Sequence, residues 1–137
     1  MNFIEWKLDV YGVSVKECDA QHEKLVKLIN ELYDAMTKKQ TRDVLQKILK
    51  ELVEYTIYHF STEENFFKIT NYPDAAVQKL EHEKFTKTIL DFKKKFEESA
   101  LTLISIDLLK FLKDWLLHHI SVSDKKYGPH LNSNGIL

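Results

Sequence analysis

The 137-residue chain has one cysteine, two prolines and three glycines, and each scarcity excludes something. A single thiol, Cys18, allows no intrachain disulfide, which fits a reducing compartment. So few turn-forming residues disfavour an all-β fold and favour long helices with few joints. No apolar run approaches the roughly 20 residues that span a bilayer. Met1 to Leu8 mixes polar and aromatic residues and lacks the apolar core of a secretory signal. No membrane association is expected, and the expected location is the cytoplasm. A formal charge of −1 gives no general drive toward nucleic acid. The densest basic run, Lys93-Lys94-Lys95, sits in a Glu-flanked helical segment and reads as a solvated face. What is present is 44% hydrophobic and 30% charged residues, the balance of a soluble globular chain.

Four segments carry the 3.6-residue period of helices with one buried face. The first, about 19–38, presents His22, Leu25, Val26, Ile29, Leu32 and Met36, with Asp19 as N-cap or first-turn acid. The second, about 41–68, starts at Thr41 and presents Val44, Leu45, Ile48, Leu52, Tyr55, Thr56, His59 and Glu63. Asn71-Tyr72-Pro73 then interrupts the chain, and Pro73 suits the first turn of the next helix. The third helix, about 74–98, presents Gln78, His82, Phe85, Ile89, Phe92 and Phe96. The fourth, about 105–124, presents Leu108, Leu112, Trp115, Leu116, His119 and Ile120. Residues 1–18 lack the period and read as an ordered arm that lays Trp6, Tyr11 and Val13 on the rest. Gly128 and Pro129 are expected to end the helical region, leaving 130–137 as a loose tail. Helices of about 20 residues are about 30 Å long. Joined by short connections, they predict an all-α, up-down-up-down four-helix bundle with an N-terminal arm, a single domain over 1–137. A monomer is expected.

The apolar faces carry residues that a plain hydrophobic bundle should exclude: His22, His59, Glu63, Gln78, His82, His119 and Asp124. A buried, unpaired carboxylate costs several kcal/mol unless a cation or donor compensates it. One histidine on an apolar face is ordinary core; four, one on each helix, point to a metal site. Antiparallel helices bring all seven residues to one end of the bundle, where facing helices build polynuclear sites. His59 and Glu63, four apart, point inward about one turn from each other. His119 and Asp124 are five apart, about 140° out of phase in an ideal helix. They share a face only if the helix widens there, as π-bulges do. Imidazole suits iron, zinc and copper, and carboxylate adds hardness. A closed zinc site takes four ligands, commonly thiolates, which one cysteine cannot supply. Ferritin-like di-iron proteins use Glu-x-x-His on two helices, and this sequence has none.

These residues resemble the bacterial hemerythrins. The matching pieces are Glu5-Trp6 with Tyr11-Gly12-Val13, Asp19-Ala20-Gln21-His22, and His59-Phe60-Ser61-Thr62-Glu63-Glu64. They continue with Tyr72-Pro73, His82-Glu83-Lys84-Phe85, and Trp115-Leu116-Leu117-His118-His119-Ile120 with Asp124 and Tyr127. They run in the family's order from about residue 3 to 127. The resemblance implies two iron ions joined by an oxo or hydroxo bridge. It implies His22 and His59 on one iron, His82 and His119 on the other, and Glu63 and Asp124 bridging. Trp115 and Leu116 would line an apolar oxygen pocket. His118 is expected off the core face, and His130 falls beyond the pattern.

The departure is Gln78, where the family's third helix has the first histidine of His-x-x-x-His. The glutamine can ligate through its neutral oxygen, step back and admit water, leave its iron weakly held, or only hydrogen-bond nearby. The implied function is reversible capture of oxygen or another small diatomic molecule for carriage, storage or sensing. The alternative is an altered di-iron site that acts on peroxide or nitric oxide because Gln78 replaces a ligand. No nucleic-acid partner is expected.

Overall fold

The structure, a computed structural model, describes residues 3–98 and 106–137. It is all-helical among these residues. A short α1 (Leu8–Tyr11) lies in the arm, followed by α2 (Lys16–Thr37), α3 (Arg42–Thr70), α4 (Ala75–Glu98) and α5 (Ile106–His118). The chain then continues without a break through a π-helical segment (His119–Asp124) into α6 (Lys125–Ser133). The expected first residue of the fourth helix, 105, lies outside the described residues. Among those described, no helix is long and apolar enough to cross a membrane.

Helices α2 to α5 close a ring in which α3 packs on α2 and α4, and α5 packs on α2 and α4. Cross-links at both ends show that neighbours run antiparallel. At one end Gln21, early in α2, hydrogen-bonds Thr62 near the end of α3, and Gln78, early in α4, reaches Asp124. At the other end Arg42, opening α3, donates to Phe96 O and Glu97 O at the close of α4, at 2.8 and 2.7 Å. The up-down-up-down order follows.

Local chemistry explains the boundaries. Thr41 caps α3, its hydroxyl accepting from Val44 N at 3.4 Å. Asn71 ends α3 in the left-handed region (φ 53°), where asparagine is among the few tolerated residues. Pro73 lies in the turn just before α4. Helix α2 begins three residues earlier than expected, and Asp19 is a first-turn acid whose Oδ1 accepts from Val13 N at 2.8 Å. That bond ties the arm to the bundle.

Two apolar clusters form. The larger runs along the bundle through Leu25, Ile29, Leu49, Leu52, Phe85, Ile89, Leu112, Leu116 and Ile120. Val44, expected in the core, is 39% exposed; the inward face of α3 takes Leu45, as expected, and adds Leu49. The smaller cluster joins Val13, Val15 and Cys18 to Phe67, Tyr72, Tyr127 and Leu131. It corrects the expected loose tail: the helix runs through Gly128 and Pro129, and Tyr127, Gly128 and Leu131 are buried. Pro129 forgoes one helical hydrogen bond, but it faces solvent while its neighbours gain burial. His130 donates from Nε2 to Thr70 O, 2.8 Å away, and Ile136 N donates to Leu131 O at 3.0 Å.

Gly128 is needed where it stands. A Cβ there would collide with the carbonyl oxygen of Val13, backbone that cannot swing aside. Gly128→Ala is therefore expected to lose about 1–3 kcal/mol. Denaturant unfolding of the variant should show the loss, with far-ultraviolet circular dichroism unchanged.

Candidate metal centre

Between the two apolar clusters lies a polar centre. His22 (0% exposed), His59 (1%), Glu63 (0%), Gln78 (2%), His82 (2%), His119 (3%) and Asp124 (0%) are all buried together. All seven residues singled out from the sequence reach it. Two overlapping groups form: His22, His59, Glu63 and Asp124, and Glu63, His82, His119 and Asp124, each with donor atoms within 4.8 Å of one another. Both carboxylates belong to both groups. The π-helical segment makes this possible, because its hydrogen bonds close five residues on and so set His119 and Asp124 on one face. Asp124 Oδ1 lies 3.0 Å from His119 Nε2.

The arrangement fits a pair of metal ions. Donor atoms around one ion at about 2.0–2.2 Å stand roughly 3 Å from their neighbours. The separations here are of that size: His22 Nε2 to Asp124 Oδ2 3.1 Å, His59 Nε2 to Glu63 Oε1 3.2 Å, His82 Nε2 to Glu63 Oε1 3.3 Å and His82 Nε2 to His119 Nε2 3.2 Å. Buried polar atoms normally have partners. Yet among the described residues His22 Nε2, Glu63 Oε1, Gln78 Oε1 and Asp124 Oδ2 have none in hydrogen-bond alignment. Oxygen and imidazole donors facing one buried space suit iron, among other transition metals.

Surrounding groups orient the side chains of the centre, as outer partners do at metal sites. The Nδ1 of His59 pairs with Gln21 Oε1 at 2.6 Å, that of His82 with Glu64 Oε2 at 3.0 Å, and that of His119 with Glu81 Oε2 at 2.9 Å. Ser123 donates to Glu81 Oε1 at 3.2 Å. Tyr127 donates its hydroxyl to Glu63 Oε2 at 2.5 Å. Phe60 stacks on His82 with centroids 3.9 Å apart, and Trp115 stacks on His119 at 4.4 Å. Leu116 is buried in the large cluster, and His118 is exposed as expected. The roles of Gln21, Glu64, Glu81 and Phe60 were not legible in the sequence. Glu81 is adjacent to His82 in the chain but serves His119 on another helix.

Among these protein groups, charge decides which protons stay. Burial pulls the His22 imidazole down, but Asp124 and Glu63 outweigh it and raise its pKa to about 9. At His59 burial prevails over Glu63 and holds the ring below its usual value. Burial pushes the Glu63 carboxyl up, yet His59, His22 and His82 hold it well below the usual carboxylate range.

A histidine must be neutral to bind a metal, so binding displaces its proton. Protein stripped by chelator is expected to release protons on adding a divalent metal at pH 7.5, read by calorimetry in two buffers of different ionisation enthalpy. The stripped protein should show the opposite trend in stability. His22 has a folded pKa raised above the unfolded 6.5, so its contribution is complete below about pH 6.5 and lost as pH rises through about 9. Thermal unfolding at pH 6.5 and 9.5 checks this.

Comparisons with known proteins agree with this geometry. Residues 13–131 match the family described as "Hemerythrin HHE cation binding domain". The bacteriohemerythrin of Methylococcus capsulatus (strain Bath) is 32% identical over 133 residues, covering 97% of this chain and 100% of that protein. A hemerythrin-like protein of Naegleria gruberi is 34% identical over 117 residues, covering 85% of each. A crystal structure of wild-type hemerythrin superposes with a TM-score of 0.88 at 32% identity, covering 94% of this chain and 98% of that one. With its helical bundle, its polar centre and these relatives, the chain belongs to the hemerythrin family.

Proposed function

We propose that this protein holds two iron ions in the polar centre, joined by an oxo or hydroxo bridge, and captures oxygen reversibly. The observation that carries the reading is the burial of four imidazoles and two shared carboxylates in one aromatic-walled space. His22 and His59 would hold one ion, His82 and His119 the other, with Glu63 and Asp124 shared and Gln78 beside the second. When bound, the iron pair supplies an open coordination position and the electrons that oxygen capture exchanges. The chain supplies the rest. Nδ1 partners lock three of the imidazoles with Nε2 inward, and Tyr127 holds the second oxygen of Glu63. Phe60 and Trp115, stacked on His82 and His119, with Leu116 in the adjoining apolar cluster, would limit water on that side, which favours release of oxygen over irreversible oxidation. Carriage, storage and sensing of a diatomic gas all follow from such a site.

A second reading, turnover of peroxide or nitric oxide, is favoured by one observation: an amide, Gln78, adjoins Asp124 in place of an imidazole. The two readings part in the spectrometer. Ferrous-loaded protein is expected to show an oxygenated absorption spectrum on aeration that disappears on degassing. Direct passage to the ferric spectrum would sink oxygen capture. Steady consumption of peroxide by the wild type, diminished in Gln78→His, would establish the second reading. Glu63→Ala, which removes a shared carboxylate, is expected to lose at least one iron per chain by elemental analysis.

A further inference from the structure

Gln78 sits one turn before His82 on the inward face of α4 and is buried. Its Nε2 donates to Asp124 Oδ1 at 3.0 Å. That same oxygen is 3.0 Å from His119 Nε2, which is 3.2 Å from His82 Nε2. The amide end beside Asp124 therefore borders the space that His82 and His119 face. The other end, Oε1, is buried without a hydrogen-bond partner among the described residues. A carboxylate only accepts, so among the protein groups alone Asp124 selects the nitrogen end and leaves the carbonyl unsatisfied. A cation in that space reverses the choice, because an amide nitrogen has no lone pair to give and the carbonyl oxygen has two. The terminal torsion of glutamine is broad and roughly two-fold, so a half-turn exchanges the ends without moving the helix.

We propose that Gln78 ligates the ion held by His82 and His119 through Oε1, after a half-turn of its amide driven by metal binding. The proposal rests on the two-metal reading above and deepens it. Carbonyl oxygen suits harder ions such as Mn2+, whereas imidazole suits iron, nickel and zinc. Gln78 is then a specificity-determining ligand, and it tilts this half of the centre toward harder divalent ions than a histidine there would.

The test is titration of chelator-stripped protein with Mn2+ and with Zn2+, followed by elemental analysis. Wild type is expected to take two ions per chain. Gln78→Leu, which offers no donor atom, should weaken one ion by at least about tenfold and leave the other unchanged. Gln78→Glu decides the role, because a carboxylate can ligate but cannot donate to Asp124: both ions should stay. Gln78→His should tighten Zn2+ more than Mn2+. In Zn2+-loaded wild type labelled with side-chain 15N-glutamine, the Gln78 amide, identified by its loss in Gln78→Glu, should move downfield as its carbonyl loses electron density. An unmoved Gln78 amide in protein holding two ions overturns the proposal alone, and so does loss of an ion in Gln78→Glu. Wild type that binds no ion overturns the two-metal reading and this assignment with it. The labelled wild type gives the answer even where Gln78→Leu does not fold.

Discussion

Two carboxylates with no access to water, Glu63 and Asp124, set the terms for the rest of the molecule. An isolated buried carboxylate costs several kcal/mol, and here two lie in one space: burial and Glu63 push the Asp124 carboxyl up, and only His119 and His22 bring it below its usual value. The bundle answers with imidazoles from four different elements and a phenol. Each helix must therefore end its approach at the same level, and that requirement fixes the relative slide of α2, α3, α4 and the π-helical segment more tightly than apolar packing alone does. Hydrophobic side chains tolerate repacking. Charge-bearing atoms about 3 Å apart tolerate much less.

The arm and the C-terminal helix gain their meaning from the same constraint. Four helices packed side by side leave their ends open to solvent, and the polar centre lies close to one end. Val13 and Val15 from the arm, with Tyr127 and Leu131 from α6, build a second apolar cluster over that end. Water excluded there would otherwise weaken every interaction in the centre. The seal is held by specific contacts: Asp19 binds Val13 N, Asn132 donates to Ser14 O at 2.9 Å, and Gly128 lets the arm's backbone come close. Tyr127 belongs to both structures at once, its ring in the seal and its hydroxyl on Glu63.

The parts of the fold that obey a period were legible in the sequence, and the parts that depend on contacts between distant segments were not. His59 and Glu63, four residues apart, announce a shared inward face. His119 and Asp124 were legible as a mismatch: five residues apart is wrong for an α-helix, and a π-helical segment is the physical remedy the chain adopts. Helix α6 was missed because Gly128 and Pro129 each weaken a helix locally. What sustains the helix there is burial of Tyr127, Gly128 and Leu131 against an arm more than a hundred residues away, which no local pattern reveals. Val44 was misplaced because a stripe read in steps of one, three and four drifts, and Leu49 carries the face instead. Gln21, Glu64 and Glu81 escaped notice because polar residues next to a ligand are ordinary, and only the fold shows which imidazole each one meets.

The two halves of the centre are not equivalent, and the difference lies in the outer partners. His82 and His119 lean on carboxylates, Glu64 and Glu81. His59 leans on the neutral amide of Gln21, and His22 Nδ1 has no hydrogen-bond partner among the described residues. A carboxylate behind an imidazole makes it a stronger donor. Gln78 lies on the half that has both carboxylates. A neutral amide oxygen gives an ion less than an imidazole does, and an imidazole backed by a carboxylate gives it more. In the proposed centre the outer carboxylates and the glutamine would therefore act in opposite directions on the same ion. Glu64 and Glu81 are both about a third exposed, so solvent screens part of their charge, and the balance in this half is set by side chains within reach of the surface. The His22 and His59 half has no such contact with solvent through its partners and keeps the fixed electrostatics of a closed interior.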